Sequence, residues 1–201
     1  MLTNVQIEDL AKKMGFPLEG VYFKNELPKK LKYNIGYVIN LQNSEDEDGN
    51  ENDGSHWTCL QVNKYPTGLI EPIFFDSYGQ PPAESIKKFV KDNTGKYLPY
   101  TKKDVQSLMG NACGWYCCAL LHYINASQYS TKDLYVDVSE FLDCFEDLDK
   151  STNFKKNEFV LKHFFRSKNP KLRQEIDVIG DGVDRIKEGN GIRIPVEAKY
   201  A

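Results

Sequence analysis

Residues 113–126, CGWYCCALLHYINA, constrain this 201-residue chain more than any other stretch. They read as one apolar helix that starts just after the turn-formers Gly110 and Asn111. The apolar run Cys117 to Leu121 within it is far too short to span a bilayer. The helix therefore belongs in a core, and a chain of this length buries a core without disulfide or metal staples. The five cysteines are odd in number and two are adjacent, which does not suit a disulfide framework. A reducing compartment is the natural expectation, where free thiols are core residues, metal ligands or nucleophiles. The opening MLTNVQIEDL has neither a basic nor an apolar signal region, so neither secretion nor membrane attachment is expected.

The pattern around that helix is α+β, a central mixed sheet flanked by helices. Residues 4–14 place Val5, Ile7, Leu10 and Met14 along one helical face, closed by Gly15. GVYFKNELPKK is an extended or turn segment, and 35–41 is a strand. Residues 43–54 hold six acids and no base and read as a solvated loop. In 56–62, His56, Thr58, Leu60 and Val62 alternate, which predicts a strand with one buried side. After the turn 65–68, residues 69–75 form a neighbouring strand that ends at Asp76. Further helices are expected over 83–92, 138–148 and 154–167. The domain spans 1–167, and 168–201, rich in glycine, is a tail or added strand element.

Reactive residues fall where these elements change. Cys113 sits at the start of the apolar helix, where free N–H groups and the positive dipole end favour thiolate over thiol. Gly114 beside it lets a substrate backbone approach. His56 opens one strand and Asp76 closes its neighbour. If the strands pair, Asp76 accepts from one ring nitrogen and fixes the tautomer that turns the other toward the thiol. Gln106, seven residues before Cys113, is a side-chain donor to a developing oxyanion, beside the Cys113 N–H. That is the nucleophilic logic of a thiol peptidase, and it needs no metal or organic cofactor.

The order His56-Trp57, Asp76, then Gln106-x6-Cys113-Gly114 resembles the adenovirus-type maturation proteases and the related SUMO-processing Ulp1 enzymes. Ala112-Cys113-Gly114-Trp115-Tyr116-Cys117-Cys118 and Leu121-His122 carry the likeness around the nucleophile, and 10–28 carries it at the start. It covers roughly residues 4–167 and includes the proteases of Polinton elements, virophages and large DNA viruses. The resemblance implies their fold, with His56 as general base, Asp76 as its orienter, Cys113 as nucleophile and Gln106 as oxyanion donor. Trp57 would be an aromatic wall of a groove that favours glycine near the scissile bond. The implied substrates are viral capsid or core precursor proteins, and the implied settings are the virion and the host cytoplasm or viral factory. A Ulp1-like isopeptidase for a ubiquitin-like protein is the alternative, and a non-catalytic DNA-binding virion scaffold a third. The acidic insert 43–54 is longer than the family needs. No cysteine occurs from 60 to 112, so activation through a disulfide-tethered peptide is not expected.

Other features read more plainly. Cys59, Cys117 and Cys118 are expected in the core, and His122 and His163 as ordinary helix residues. A zinc site from His56, Cys59, Cys118 and His122 lacks the usual tight paired spacing. The net charge of -3 argues against a uniformly basic nucleic-acid binder. It conceals opposed blocks, however: six acids and no base over 137–149, then eight Lys or Arg against Glu158 alone over 150–173. That basic block is either a solvated helix face or a DNA contact, the use the resemblance implies. In the tail, Val178 and Ile179 precede Gly180-Asp181-Gly182, and Gly189-Asn190-Gly191 follows. These are turns, or, by resemblance to the family's Gly-x-Gly cleavage pattern, sites of self-trimming.

Overall fold

The structure, a computed structural model, describes residues 1–107, 110–126, 133–147 and 153–168, with side chains as far as 165. Its elements run α1 (Asn4–Met14), β1 (Leu18–Phe23), β2 (Gly36–Asn40), β3 (Trp57–Lys64), β4 (Ile70–Phe75), α2 (Glu84–Thr94), α3 (Cys113–Asn125), α4 (Leu134–Leu142) and α5 (Asn153–Lys168). The four strands lie in chain order, β1-β2-β3-β4. β1 pairs parallel with β2, and the other two pairings are antiparallel, so the sheet is mixed and the class α+β, as expected. The tail beyond Lys168, with both Gly-x-Gly sequences, lies outside the described residues.

Alternation along each strand sorts side chains onto two apolar layers. Val38, Trp57, Cys59, Ile73 and Phe75 join the core shared with α1, α3, α4 and α5. Tyr37, Ile39, Leu60, Val62 and Phe74 pack instead with Ile86, Phe89 and Val90 of α2. β3 is thus buried on both faces from Trp57 to Val62, not on one side as the alternation suggests. The reason is the cover: α3 lies on one face and α2 on the other, and Thr58 meets its need by donating to the Ile39 carbonyl at 2.9 Å.

α3 fills the space between the sheet and the other helices, with every residue from Cys113 to Leu121 buried. Trp115 meets Phe165 edge-on at 5.0 Å and Tyr116 meets Phe145 at 5.4 Å, geometries aromatic rings favour. Two expectations shift. The segment read as extended or turn overlaps the edge strand β1, whose pairing with β2 supplies the order its own sequence does not announce. The helix expected over 138–148 starts earlier, at Leu134, because Asp133 caps it through bonds from the Tyr135 and Val136 N–H groups at 3.1 and 3.0 Å.

The acidic tract is exposed but built. Asp46 accepts from the N–H groups of Asp48 and Asn50 at 2.9 and 2.8 Å, and Glu45 bridges Glu51. These bonds, with the Asn50 side chain first, pull the Asp46 carboxyl below its ordinary pKa. At the base of the loop, buried Asn40 accepts from Gln42 and Ser55 N–H at 3.0 and 3.3 Å, and Leu41 N–H reaches the His56 carbonyl at 3.1 Å.

β2 and α3 approach closely at one point. A Cβ placed on Gly36 would stand 2.7 and 2.8 Å from the two methyl groups of Leu121, which is itself fully buried. Gly36→Ala is therefore expected to cost about 1–3 kcal/mol through overpacking, read as a lowered denaturation midpoint with unchanged m-value.

Candidate active site

The strand pairing decides the first question. β3 and β4 are antiparallel, with Cys59 opposite Phe75, so the start of one lies beside the end of the other. His56 and Asp76 flank that junction, and His56 Nε2 is 2.8 Å from Asp76 Oδ1. The neutral ring then donates Nε2–H to the carboxylate and leaves Nδ1 as the free lone pair. Nδ1 is buried and without a hydrogen-bond partner.

Cys113 is the first residue of α3, behind Ala112 at the N-cap. Its backbone N–H and those just after it have no acceptor inside the helix. The sulfur also receives the Trp57 N–H at 3.5 Å, which ties it to the residue next to His56. Burial lowers the His56 pKa, but the bond to Asp76, the nearby Cys113 sulfur and the negative charge of both outweigh it. The result is a ring raised from 6.5 to about 9. The cationic form of the ring is therefore favoured.

Asp76 belongs to a tight turn, DSYG, closed by the Gly79 N–H on the Asp76 carbonyl at 2.9 Å. Gly79 has φ +67°, and a Cβ there would strike the Lys102 carbonyl oxygen at 2.5 Å, so the turn lies flat on the segment leading to Gln106. The Ser77 carbonyl accepts from Val105 and Gln106 N–H at 2.9 and 3.1 Å, and the Ser77 hydroxyl donates to Gln106 Oε1 at 3.0 Å. Gln106 is wholly buried, with its amide donating to the Tyr78 hydroxyl at 3.2 Å and to the Gly110 carbonyl at 3.1 Å.

Trp57 and Gly114 lie beside Cys113, but against the chain's own first residues. The Trp57 indole N–H donates to the Leu2 carbonyl at 2.7 Å, and Trp57 is 4% exposed. A Cβ on Gly114 would sit 3.3 Å from both Leu2 and Trp57. The small residue thus makes room for Leu2, whereas the sequence suggested room for a substrate. A cleft of about 520 Å³ opens nearby between Met1, Leu2, Gln6, Asp9, Leu10, Asn111 and Trp115; none of His56, Asp76, Gln106 or Cys113 lines it.

Two residues escape sequence reasoning. Tyr78 stacks on the His56 ring, centroids 4.3 Å apart and planes at 18°, and its N–H donates to Asp76 Oδ1 at 2.8 Å. Ser77 is the bridge to Gln106 described above. The only signal is their place directly after Asp76 in a turn, which marks proximity but not direction.

The remaining cysteines are buried free thiols. Burial raises the Cys117 and Cys118 thiols well above their ordinary values, which suits core residues. Among the described residues no group of three or more His, Cys, Asp and Glu is placed to hold a metal ion, and no helix is long and apolar enough to cross a membrane. Of the Lys and Arg side chains in the basic block 150–173, three are described. Lys162 is 1% exposed, Lys156 pairs with Glu146 at 3.2 Å, and Lys155 lies over the Phe154 ring. That part of α5 is a packed helix rather than a free basic face; the block's other Lys and Arg side chains lie outside the described residues.

No protein-family model matches the chain, and none of the curated proteins matches it. The likeness to adenovirus-type proteases thus stands on the motifs themselves.

The raised His56 pKa has a sign that titration reads directly. Stability contributed by the protonated ring is complete below about pH 6.5 and is lost as pH rises through about 9. NMR titration of the His56 ring is expected to give a midpoint near 9. In Asp76→Asn the midpoint should drop, because burial then faces only the Cys113 contribution.

Proposed function

We propose that this chain is a cysteine endopeptidase in which Cys113 is the nucleophile, His56 the general base and Asp76 its orienter. The observation that carries the reading is the His56 Nε2–Asp76 Oδ1 contact of 2.8 Å, with the opposite ring nitrogen buried and unpartnered. A structural histidine would spend both nitrogens on the protein. One held at Nε2 alone, with its pKa raised partly by a cysteine sulfur, is set up to exchange a proton with that sulfur.

The chemistry follows from these positions. His56 Nδ1 takes the Cys113 proton, and the thiolate attacks a peptide carbonyl carbon, forming a C–S bond. The developing oxyanion is met by the Cys113 N–H and by the Gln106 side of the site. As the intermediate collapses, the C–N bond breaks and His56 Nδ1 gives its proton to the leaving amine. Water, deprotonated by His56, then cleaves the thioester and restores the thiol. Asp76 keeps its negative charge throughout and stabilises the imidazolium.

The substrate class rests on motif resemblance, and the reading we favour is maturation of viral capsid or core precursors near glycine. The fold family is proposed on the same ground; the mixed four-stranded sheet under a central helix is compatible with it.

Incubating the protein with capsid and core precursors encoded beside it, then mapping new termini, tests the reading. Wild type should generate termini next to glycine, and Cys113→Ala none. Asp76→Asn should retain the fold and lose roughly 10⁴-fold in kcat, as expected when the base is held in the wrong tautomer. Cleavage of a SUMO or ubiquitin fusion in preference to these precursors would favour the isopeptidase instead.

A further inference from the structure

Gln106 presents a difficulty as a direct oxyanion donor. Its side chain is wholly buried, and the two protons of its amide group are already directed at the Tyr78 hydroxyl and the Gly110 carbonyl. The carbonyl end is held as well, by the Ser77 hydroxyl. Reaching an oxyanion would break one of these bonds in a buried setting, where an unmade bond is costly.

Tyr78 has what Gln106 lacks. Its hydroxyl accepts from Gln106 Nε2 at 3.2 Å and donates to no described residue, so its own proton is uncommitted. Its ring is fixed by stacking on His56 at 4.3 Å and by its N–H bond to Asp76. The ring therefore lies along the base, and its hydroxyl lies on the donor side of the site. Accepting from an amide makes a hydroxyl a stronger donor, because successive hydrogen bonds polarise one another.

We propose that the Tyr78 hydroxyl is the side-chain donor to the tetrahedral oxyanion, with Gln106 acting through it as a positioning residue. This rests on the thiol-peptidase reading and deepens it. The step is a hydrogen bond only: Tyr78 keeps its proton, and the negative oxygen returns to a carbonyl when the intermediate collapses. Burial first, then the charge of Cys113, push the Tyr78 pKa up to about 12, which keeps the hydroxyl protonated across the working range.

Two small probes separate this role from a structural one. N-acetylglycine 4-nitrophenyl ester acylates a thiol through an oxyanion, whereas iodoacetamide alkylates it by displacement without one. Tyr78→Phe retains the ring and removes only the hydroxyl. Acylation of Cys113 should fall about 100-fold in this variant, while its alkylation stays within about twofold of wild type. Unchanged alkylation also reports that the site is still folded. Acylation at the wild-type rate would overturn the proposal, and so would an equal loss in both reactions, which would mean that Tyr78 only tunes the thiolate. If wild type and Cys113→Ala release nitrophenolate equally, the thiol-peptidase reading fails, and the proposal with it.

Discussion

The burial of α3 on all sides is the constraint from which the rest of the architecture follows. Every residue from Cys113 to Leu121 is buried. A helix apolar all round has no solvent face to offer, so it must be enclosed. The sheet encloses one side through Val38, Trp57, Cys59 and Phe75, while α1, α4 and α5 enclose the others. Once the helix is enclosed, its N-terminus is fixed relative to the strand ends, and the Cys113 sulfur comes to rest against the Trp57 N–H. The position of the proposed nucleophile is thus a by-product of packing, and the reactivity proposed for it would draw on the helix end and the neighbouring imidazole.

The second organising element is the turn 76–79. It is short, yet three side chains and one carbonyl leave it in useful directions: Asp76 to His56, Ser77 to Gln106, Tyr78 to both the His56 ring and Gln106. His56 and Gln106 are therefore not independent. A disturbance of the turn moves the imidazole and the Gln106 amide together, so single substitutions here are expected to be non-additive.

What the sequence could reveal followed the range of the forces involved. Local signals were legible: the apolar run marked α3, Gly15 the end of α1, and the β-rich runs β2 to β4. The juxtaposition of His56 with Asp76 was also legible, because adjacent antiparallel strands bring one start beside one end. What depended on distant partners was not. β1 is a strand only because β2 lies beside it. β3 is buried on both faces because α2, some twenty residues further on, returns to cover it. The Leu2 cover over Trp57 and Gly114 spans more than fifty residues of sequence, and spacing alone gave no sign of it. Tyr78 lay inside a segment already marked as reactive, but the direction of its ring is set by the turn's backbone.

The acidic tract is tied to the candidate site by its anchoring. Its base is clamped where buried Asn40 holds both Gln42 and Ser55 and Leu41 holds the His56 carbonyl. Its tip is closed separately, around Asp46. The long connection is therefore divided into two small closures, and the ordering cost of the outer one is met locally. Residues beyond the clamp can vary in number or composition with the imidazole still in register. The tract is a place where the chain can be lengthened, recharged or decorated without moving His56.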